Sequence, residues 1–162
     1  MAKILVSACL LGCKVRYNGS DLKPSNNDFN WLIKNHEIVS FCPEVSAGLA
    51  IPRVPAEIQC GVGQDVLSGN ANVLNSDGLN LTDKFLLGAQ LALQKCKQEN
   101  IEFAVLTEYS PSCGSNSIYN GDFSAKKKVG NGVTTAMLKK HNVQVYSQHQ
   151  VHLLQLALNK EC

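Results

Sequence analysis

The stretch KILVSA at residues 3–8 decides the fold, because it is a short apolar run near the N-terminus that leads directly into Cys9. A run of this length and composition predicts a buried β-strand. Comparable runs recur along the chain, and the segments between them repeat their apolar residues at helical spacing. We therefore predict four strands, the other three being EIVSF at 37–41, IEFAVL at 101–106 and VQVY at 143–146.

The segments between these strands predict helices. Thr82 is a good N-cap for a helix that runs to about Glu99. Its predicted buried face consists of Phe85, Leu86, Ala89, Ala92, Leu93 and Cys96. Shorter helices are predicted from Asp28, as a cap, with Phe29, Leu32 and Ile33 on one face, and at 134–141 and 151–158.

Strands that alternate with helices form a mostly parallel sheet with helices on its two faces. We therefore predict the α/β class, as a single three-layer Rossmann-like domain that spans residues 1–162. In such a sheet, ligands bind beyond the carboxyl ends of the strands, and we expect the site at that edge.

Three segments lack a clear helical or strand pattern over their whole length. Residues 44–63 are predicted to form a long loop of the kind that usually has a function. Val66-Leu67-Ser68 and Val73-Leu74 are predicted to form a small hairpin around Gly69-Asn70. Residues 109–130 are predicted to form another loop, with a tight turn at Asn120-Gly121.

Composition limits the possible classes of protein. Hydrophobic residues make up 44% and charged residues 17% of the 162 residues, which is ordinary for a folded globular chain. The net charge of +2 gives little support to nucleic-acid binding. The N-terminus lacks the features of a signal peptide, and no stretch approaches the roughly 20 apolar residues of a membrane span. We expect a cytoplasmic protein with no membrane partner.

Each of the first three predicted strands is followed by a cysteine. Cys9 follows the first, Cys42 follows the second, and Cys113 stands in SPSCG at 110–114 after the third. If the strands are neighbours, their carboxyl ends bring the three thiols to one site. Each cysteine alone is equally compatible with inert packing, because free cysteine is often buried. Cys13, spaced C-x3-C from Cys9, competes with Cys42 as the third ligand.

The chain has seven cysteines, and their odd number without an export signal argues against a disulfide framework. Cys96 is predicted to lie in the core, Cys60 in the long loop, and Cys162 at a mobile terminus. Three thiolates leave one position open on a tetrahedral metal or on one iron of a cluster, as in catalytic sites. Thiolate ligands are compatible with zinc, copper(I) or an iron–sulfur cluster.

Other residues at the same edge carry functional groups that could take part in catalysis or binding. Glu44, two residues beyond Cys42, is either a general acid or base or a solvent-facing carboxylate. Ser110 and Ser112 either donate to a substrate or a cluster sulfur, or cap a turn. Arg16 and Arg53 either bind an anion or a planar ring, or are exposed surface residues.

Four motifs occur in a fixed order along the chain. They are SACLLG at 7–12, RYNG at 16–19, CPEV at 42–45 with Gly48-Leu49 and Pro52-Arg53, and SPSCG at 110–114. Over residues 1 to about 150, the chain thereby resembles a bacterial family that includes the thiouracil desulfurases. Many members have a cysteine immediately before the arginine of the second motif, where this chain has Val15. That departure favours Cys42 over Cys13 as the third ligand.

The resemblance implies a 4Fe–4S cluster held by Cys9, Cys42 and Cys113, and a non-redox exchange of sulfur for oxygen on a thiolated uracil-like substrate. It implies Glu44 and Ser110 as the catalytic pair. Arg16, Arg53 and Ser112 are then the predicted substrate-binding residues, and the partner is a small thiopyrimidine. A non-enzymatic module that binds a metal or an iron–sulfur cluster is the alternative. A metal-free cysteine nucleophile is disfavoured, because no histidine is placed to activate a thiol.

Overall fold

The computed structural model describes residues 1–160, in which strands and helices alternate except for the consecutive strands between residues 103 and 129. The strands are β1 (Lys3–Ser7), β2 (Glu37–Phe41), β3 (Ala56–Gln59), β4 (Asn72–Asn75), β5 (Phe103–Leu106), β6 (Ser117–Tyr119), β7 (Lys127–Val129) and β8 (Gln144–Ser147). The helices are α1 (Asn27–Asn35), α2 (Pro43–Ser46), α3 (Gly63–Leu67), α4 (Thr82–Glu99), α5 (Val133–Lys140) and α6 (Val151–Lys160). A turn of 3₁₀-helix at Ala8–Leu11 follows β1 directly.

A four-stranded parallel sheet in the order β2-β1-β5-β8 forms the centre of the fold. Val6 lies opposite Ser40 on one neighbouring strand and opposite Val105 on the other. The four strands predicted from the sequence are therefore confirmed, and all four are parallel, as in an α/β protein. β1 lies inside the sheet, where both of its faces are covered, and this explains its uninterrupted apolar run.

Successive side chains of β1 supply two different hydrophobic layers. Ile4 and Val6 pack in a cluster with residues of α1 and α6, whereas Leu5 packs with residues of α4 and α5. This separation follows from the alternation of side chains along a strand. The helices thus cover both faces of the sheet, which confirms the three-layer prediction.

The long helix α4 matches its prediction, and its ends and those of α1 show small differences. Phe85, Ala89, Ala92, Leu93 and Cys96 are buried. Thr82 is the first helical residue rather than the cap, because its hydroxyl accepts the N–H of Val73. The cap of α1 is Asn26 and not Asp28, since the Asn26 side chain accepts the Phe29 N–H at 2.8 Å. Of the three residues predicted on one face of α1, Phe29 and Leu32 are buried, whereas Ile33 is 37% exposed.

The prediction of a structureless segment at 44–63 is wrong. The segment contains most of α2, the whole of β3 and the first residue of α3, and β3 pairs antiparallel with β4. The predicted hairpin is wrong in its first arm, because Val66 and Leu67 belong to α3. The Asp65 carboxylate accepts the Val62 N–H at 2.8 Å and caps this short helix. Such local capping opposes an extended conformation.

The segment 109–130 is also more ordered than predicted, because β6 and β7 form an antiparallel pair within it. Asn120-Gly121 is not a two-residue turn, since residues 120–126 connect the two strands. The Glu57 carboxylate of β3 accepts the N–H groups of Gly121 and Phe123 and so anchors this connection to the β3–β4 pair.

Among residues 1–160, no helix combines the length and the apolar character needed to cross a membrane. Cys162, predicted to be a mobile terminal residue, lies outside the described residues.

Candidate active site

A cavity of about 790 Å³ opens at the carboxyl ends of β1, β2 and β5. Its floor comes from these strands, and the connections after them supply its sides, because parallel strands that end together leave a crevice beyond their tips. Seven of the eight predicted site residues line it. They are Cys9, Arg16, Cys42, Glu44, Arg53, Ser110 and Cys113.

Backbone register brings the three cysteines to the same edge. Ser7 and Phe41 are paired in the sheet, so Cys9 and Cys42 follow paired ends of β1 and β2. Cys42 directly precedes Pro43, the first residue of α2, where proline is well tolerated. Cys113 lies in the turn after β5, and the Ser110 hydroxyl oxygen accepts its N–H at 3.2 Å.

The three thiols are buried close enough to influence one another's charge. Burial is the main cause that raises the pKa of each of them. Ionisation of Cys42 further disfavours ionisation of both Cys9 and Cys113. Three thiolates can therefore share this space only if a cationic centre compensates their charge, as metal coordination does.

The donor set discriminates between kinds of metal centre. In the described part of the chain, no group of three or more His, Cys, Asp or Glu side chains is arranged to hold a metal ion. Three thiolates are chemically compatible with zinc, copper(I) or an iron–sulfur cluster. A multi-iron cluster is larger than one ion, so its cysteine ligands stand further apart. Three cysteines around one cavity fit that group in number and in chemistry.

Glu44 and Arg53 form an ion pair at the cavity wall. Arg53 Nη2 donates to Glu44 Oε2 at 3.0 Å, and the two side chains are 11% and 18% exposed for Arg53 and Glu44 respectively. Burial raises the pKa of the Glu44 carboxyl, and Arg53 counteracts part of that effect. The same guanidinium donates to the carbonyl oxygens of Val15 and Ala50. Arg53 thus joins Glu44 to the loop that carries Arg16.

Ser110 and Ser112 lie in the same turn but have different surroundings. The Ser110 hydroxyl oxygen accepts the N–H groups of Ser112 and Cys113, and Ser110 lines the cavity. The Ser112 side chain is buried and does not line the cavity, and its hydroxyl has no hydrogen-bond partner within residues 1–160. The Ser112 carbonyl accepts two N–H groups at the start of α5, so this residue packs against α5 in the protein interior. The structure thus does not support substrate binding by Ser112.

The other cysteines within residues 1–160, which are Cys13, Cys60 and Cys96, do not line the cavity. Cys13 and Cys60 are exposed, and neither lines it. Cys96 is buried against the sheet in the cluster that contains Leu5, as predicted. Burial raises the pKa of its thiol to about 11, as befits an unreactive core residue.

Glu108 is a buried cavity residue that the sequence reasoning missed. Its carboxylate accepts the N–H groups of Ser115, Asn116 and Ser117 at 2.9–3.2 Å and the Asn116 side-chain amide at 2.7 Å. Burial alone raises the pKa of this carboxyl, but these hydrogen bonds together hold the pKa below its ordinary value. Its position two residues after β5, among other cavity residues, was the available signal.

An aromatic wall is the other unpredicted feature. Tyr109 and Tyr119 line the cavity with their ring centroids 6.4 Å apart, and Lys127 Nζ lies 3.7 Å from the Tyr109 centroid. Tyr109 adopts φ +71°, a conformation that no sequence pattern marked. Flat aromatic faces of this kind suit planar rings. Lys127 is the first residue of β7, and its contact with the wall arises from the β6–β7 pair, which was not predicted.

Comparisons with known proteins converge on one family. The sequence pattern of the 2-thiouracil desulfurase family matches residues 4–150. The chain is 42% identical over 149 residues to the uncharacterized protein YbbK of Bacillus subtilis (strain 168), covering 92% of this chain and 97% of that one. It is 44% identical to TudS, a solved 4Fe–4S-dependent thiouracil desulfidase, with a TM-score of 0.88 over 98% of this chain and 99% of that chain.

Proposed function

Because the chain belongs to the 2-thiouracil desulfurase family, we propose that it replaces the sulfur of a thiolated uracil-like substrate with oxygen from water. The reaction consumes one water and one thione and yields one carbonyl and one hydrogen sulfide, so no external electrons are needed. The observation that carries the proposal is the placement of three cysteines and Glu44 around one cavity. The cytoplasm, which keeps thiols reduced, is the proposed location.

In this proposal Cys9, Cys42 and Cys113 hold a 4Fe–4S cluster. When bound, the cluster supplies one iron without a protein ligand, which is a sulfur-seeking Lewis acid. The name of the structurally similar TudS supports this choice over a single ion.

Glu44 is the proposed acceptor of the proton from water. The contact with Arg53 occupies Oε2 and leaves Oε1 available for a proton. A raised pKa makes this carboxyl a better proton acceptor than an ordinary glutamate, and Arg53 limits that rise so that the group can ionise. Arg53 is thereby a positioning residue for Glu44 in this scheme, rather than the direct substrate ligand that the sequence predicted.

Ser110 is the proposed hydrogen-bond donor to the substrate ring. Its oxygen already accepts two backbone N–H groups, from Ser112 and Cys113, so its own hydrogen is free to point elsewhere. Since Ser110 lines the cavity, that hydrogen can serve a ring nitrogen or the oxygen that replaces sulfur. Arg16, also at the cavity, is the proposed ligand of the polar edge of the substrate.

The test is anaerobic reconstitution with iron and sulfide, followed by incubation with 2-thiouracil or 4-thiouracil. We expect about four irons per chain, the content of one cluster. We also expect loss of thione absorbance with release of an equal amount of hydrosulfide. Cys113→Ala should lose the cluster, whereas Glu44→Gln should keep the cluster and lose turnover. Cys13→Ser is the matched cysteine control and should keep both.

Three results would contradict the proposal. Colourless protein without iron after reconstitution would show that the chain does not bind the proposed cluster. Iron loss in Cys13→Ser but not in Cys42→Ser would show that Cys13, and not Cys42, is the third ligand. A stable cluster with unchanged thione absorbance would favour a non-enzymatic cluster-binding module.

A further inference from the structure

Two buried hydroxyl groups stand between the ligand cysteines, at the tips of adjacent central strands. Ser7 ends β1, and Thr107 directly follows β5; they are 3% and 7% exposed. Thr107 Oγ1 lies 2.8 Å from Cys9 Sγ. The Ser7 side chain neighbours Cys113 and counteracts part of the rise in the pKa of that thiol. The Thr107 N–H donates to Ser7 Oγ at 3.0 Å and joins the two pairs.

The directions of these hydrogen bonds follow from the chemistry of the partners. A thiolate sulfur that binds iron has no hydrogen to donate, so Thr107 must donate to Cys9. Ser7 Oγ already accepts the Thr107 N–H, and its own hydrogen is left for Cys113. The backbone N–H groups of Val45 and Glu44 counteract part of the rise in the pKa of the Cys42 thiol. Each of the three sulfurs thus faces at least one donor, and two of these donors are replaceable side chains.

Packing alone does not account for hydroxyl groups at these two positions. The preceding residues, Val6 and Leu106, are apolar and buried. A valine would occupy the volume of Thr107 without a polar atom that has to be paired. Buried hydroxyl groups cost free energy unless they have partners. Here Cys9 Sγ is the partner of the Thr107 hydroxyl, and the Thr107 N–H is a partner of the Ser7 oxygen.

We propose that Thr107 and Ser7 are positioning residues whose hydroxyl groups donate to the Cys9 and Cys113 thiolates and raise the reduction potential of the bound cluster. This inference rests on the proposed cluster site. Hydrogen bonds to the ligand sulfurs stabilise negative charge, and the reduced cluster carries one more negative charge than the oxidised cluster. Removing a donor therefore disfavours reduction and lowers the midpoint potential.

The test is an anaerobic redox titration of the reconstituted protein with dithionite, monitored by EPR of the reduced cluster. Thr107→Val should shift the midpoint potential to a more negative value, whereas Thr107→Ser, which keeps the hydroxyl, should restore it to near the wild-type value. Thr134→Val is the matched control, because the Thr134 hydroxyl is buried, has no partner within residues 1–160 and does not line the cavity. It should leave the potential unchanged.

A second variant covers the case in which Thr107→Val does not hold a cluster. Ser7→Ala should also shift the potential to a more negative value, through Cys113. Wild-type potentials in both Thr107→Val and Ser7→Ala would overturn the inference while leaving the proposed function intact. A shift of equal size in Thr134→Val would also overturn it, since the effect would then not depend on the sulfur contacts. Failure of the wild-type protein to take up iron would instead overturn the proposed function.

Discussion

Arg53 shows at the scale of one residue how the site is held together. Its guanidinium donates to Glu44 and to the Val15 carbonyl, and both of these partners line the cavity. A sequence motif places Arg53 near the site but does not distinguish a residue that contacts substrate from one that holds another side chain. The structure makes that distinction through the partners of each nitrogen.

We expect Arg53→Met to keep the cluster and lower kcat about tenfold to a hundredfold. A hydrogen bond to a charged group contributes about 1.5–3 kcal/mol, and each 1.4 kcal/mol corresponds to about a tenfold change in rate. Iron content and thiouracil turnover measure the two effects separately. Lys14→Met removes an exposed cation next to Val15, the residue whose carbonyl Arg53 contacts, and should leave both unchanged. Unaltered turnover in Arg53→Met would show that Glu44 does not need this partner.

Glu108 is the second residue whose role depends on many small contacts. Its pKa is lowered in the folded protein, so its carboxylate stabilises the fold above the unfolded pKa of about 4.3. That contribution is lost as the pH falls through the folded pKa. Glu108→Gln should therefore reduce the free energy of unfolding by about 1–3 kcal/mol at neutral pH, since a buried network loses its charged acceptor.

Urea unfolding at pH 7 and at several acidic pH values measures this contribution. The difference between wild type and Glu108→Gln should shrink as the pH falls below the unfolded value. Glu102→Gln, at an exposed position in the same part of the chain, is the control and should follow the wild-type profile. A difference that stays constant with pH would mean that the carboxylate charge is not the cause.

Some secondary-structure elements of this fold can be predicted from the sequence, and others cannot. β1, β2, β5, β8 and α4 were predictable because each buries a continuous or periodic apolar face that is visible locally. The order of the first three along the chain also predicts that Cys9, Cys42 and Cys113 lie at one edge of the sheet. β3 and β4 pair across 12 intervening residues, which contain α3, and their short apolar runs do not specify that pairing. The polar contacts of the site, such as Thr107 with Cys9, join residues 98 positions apart and leave no local signal.

The turn that carries Cys113 depends on the close approach of a neighbouring helix. A Cβ atom added to Gly132, which precedes α5, would lie 2.4–2.5 Å from the carbonyl group of Ser112. Gly132 has φ −71°, so an alanine there is not excluded by its own backbone conformation. Gly132→Ala should therefore displace the turn, destabilise the protein by about 1–3 kcal/mol and lower its iron content.

Chemical unfolding and iron analysis after reconstitution test this expectation. Gly69→Ala is the contrasting control, because a Cβ there meets no atom within 4 Å but φ is +84°. It should cost about 1 kcal/mol from backbone strain and leave iron content unchanged. Full iron loading in Gly132→Ala would show that the turn tolerates displacement.

At the scale of the whole molecule, the cavity lies between two parts of the fold. The parallel sheet supplies the three cysteines, and residues of β3 and β6 together with Tyr109 line the opposite side. The Glu57 carboxylate connects these outer strands to the 120–126 segment. The connections after β1, β2 and β5 thus carry the proposed cluster ligands, whereas residues of β3 and β6 complete the lining of the cavity.

A cluster bound by Cys9, Cys42 and Cys113 would link three connections that are far apart in the chain, so its binding should stabilise the entire fold. Ligands that bind only the folded state raise the free energy of unfolding by mass action. In a chain of this size, each kcal/mol raises Tm by about 2–4 °C, and a gain of a few kcal/mol corresponds to about 5–10 °C. Anaerobic thermal unfolding of reconstituted and iron-free protein measures the difference. Cys13→Ser should show the full increase and Cys42→Ser little or none. The cluster can link the three connections only if Cys9, Cys42 and Cys113 all bind it. An equal increase in Tm in both variants would therefore show that iron stabilises the protein through some other part of the chain.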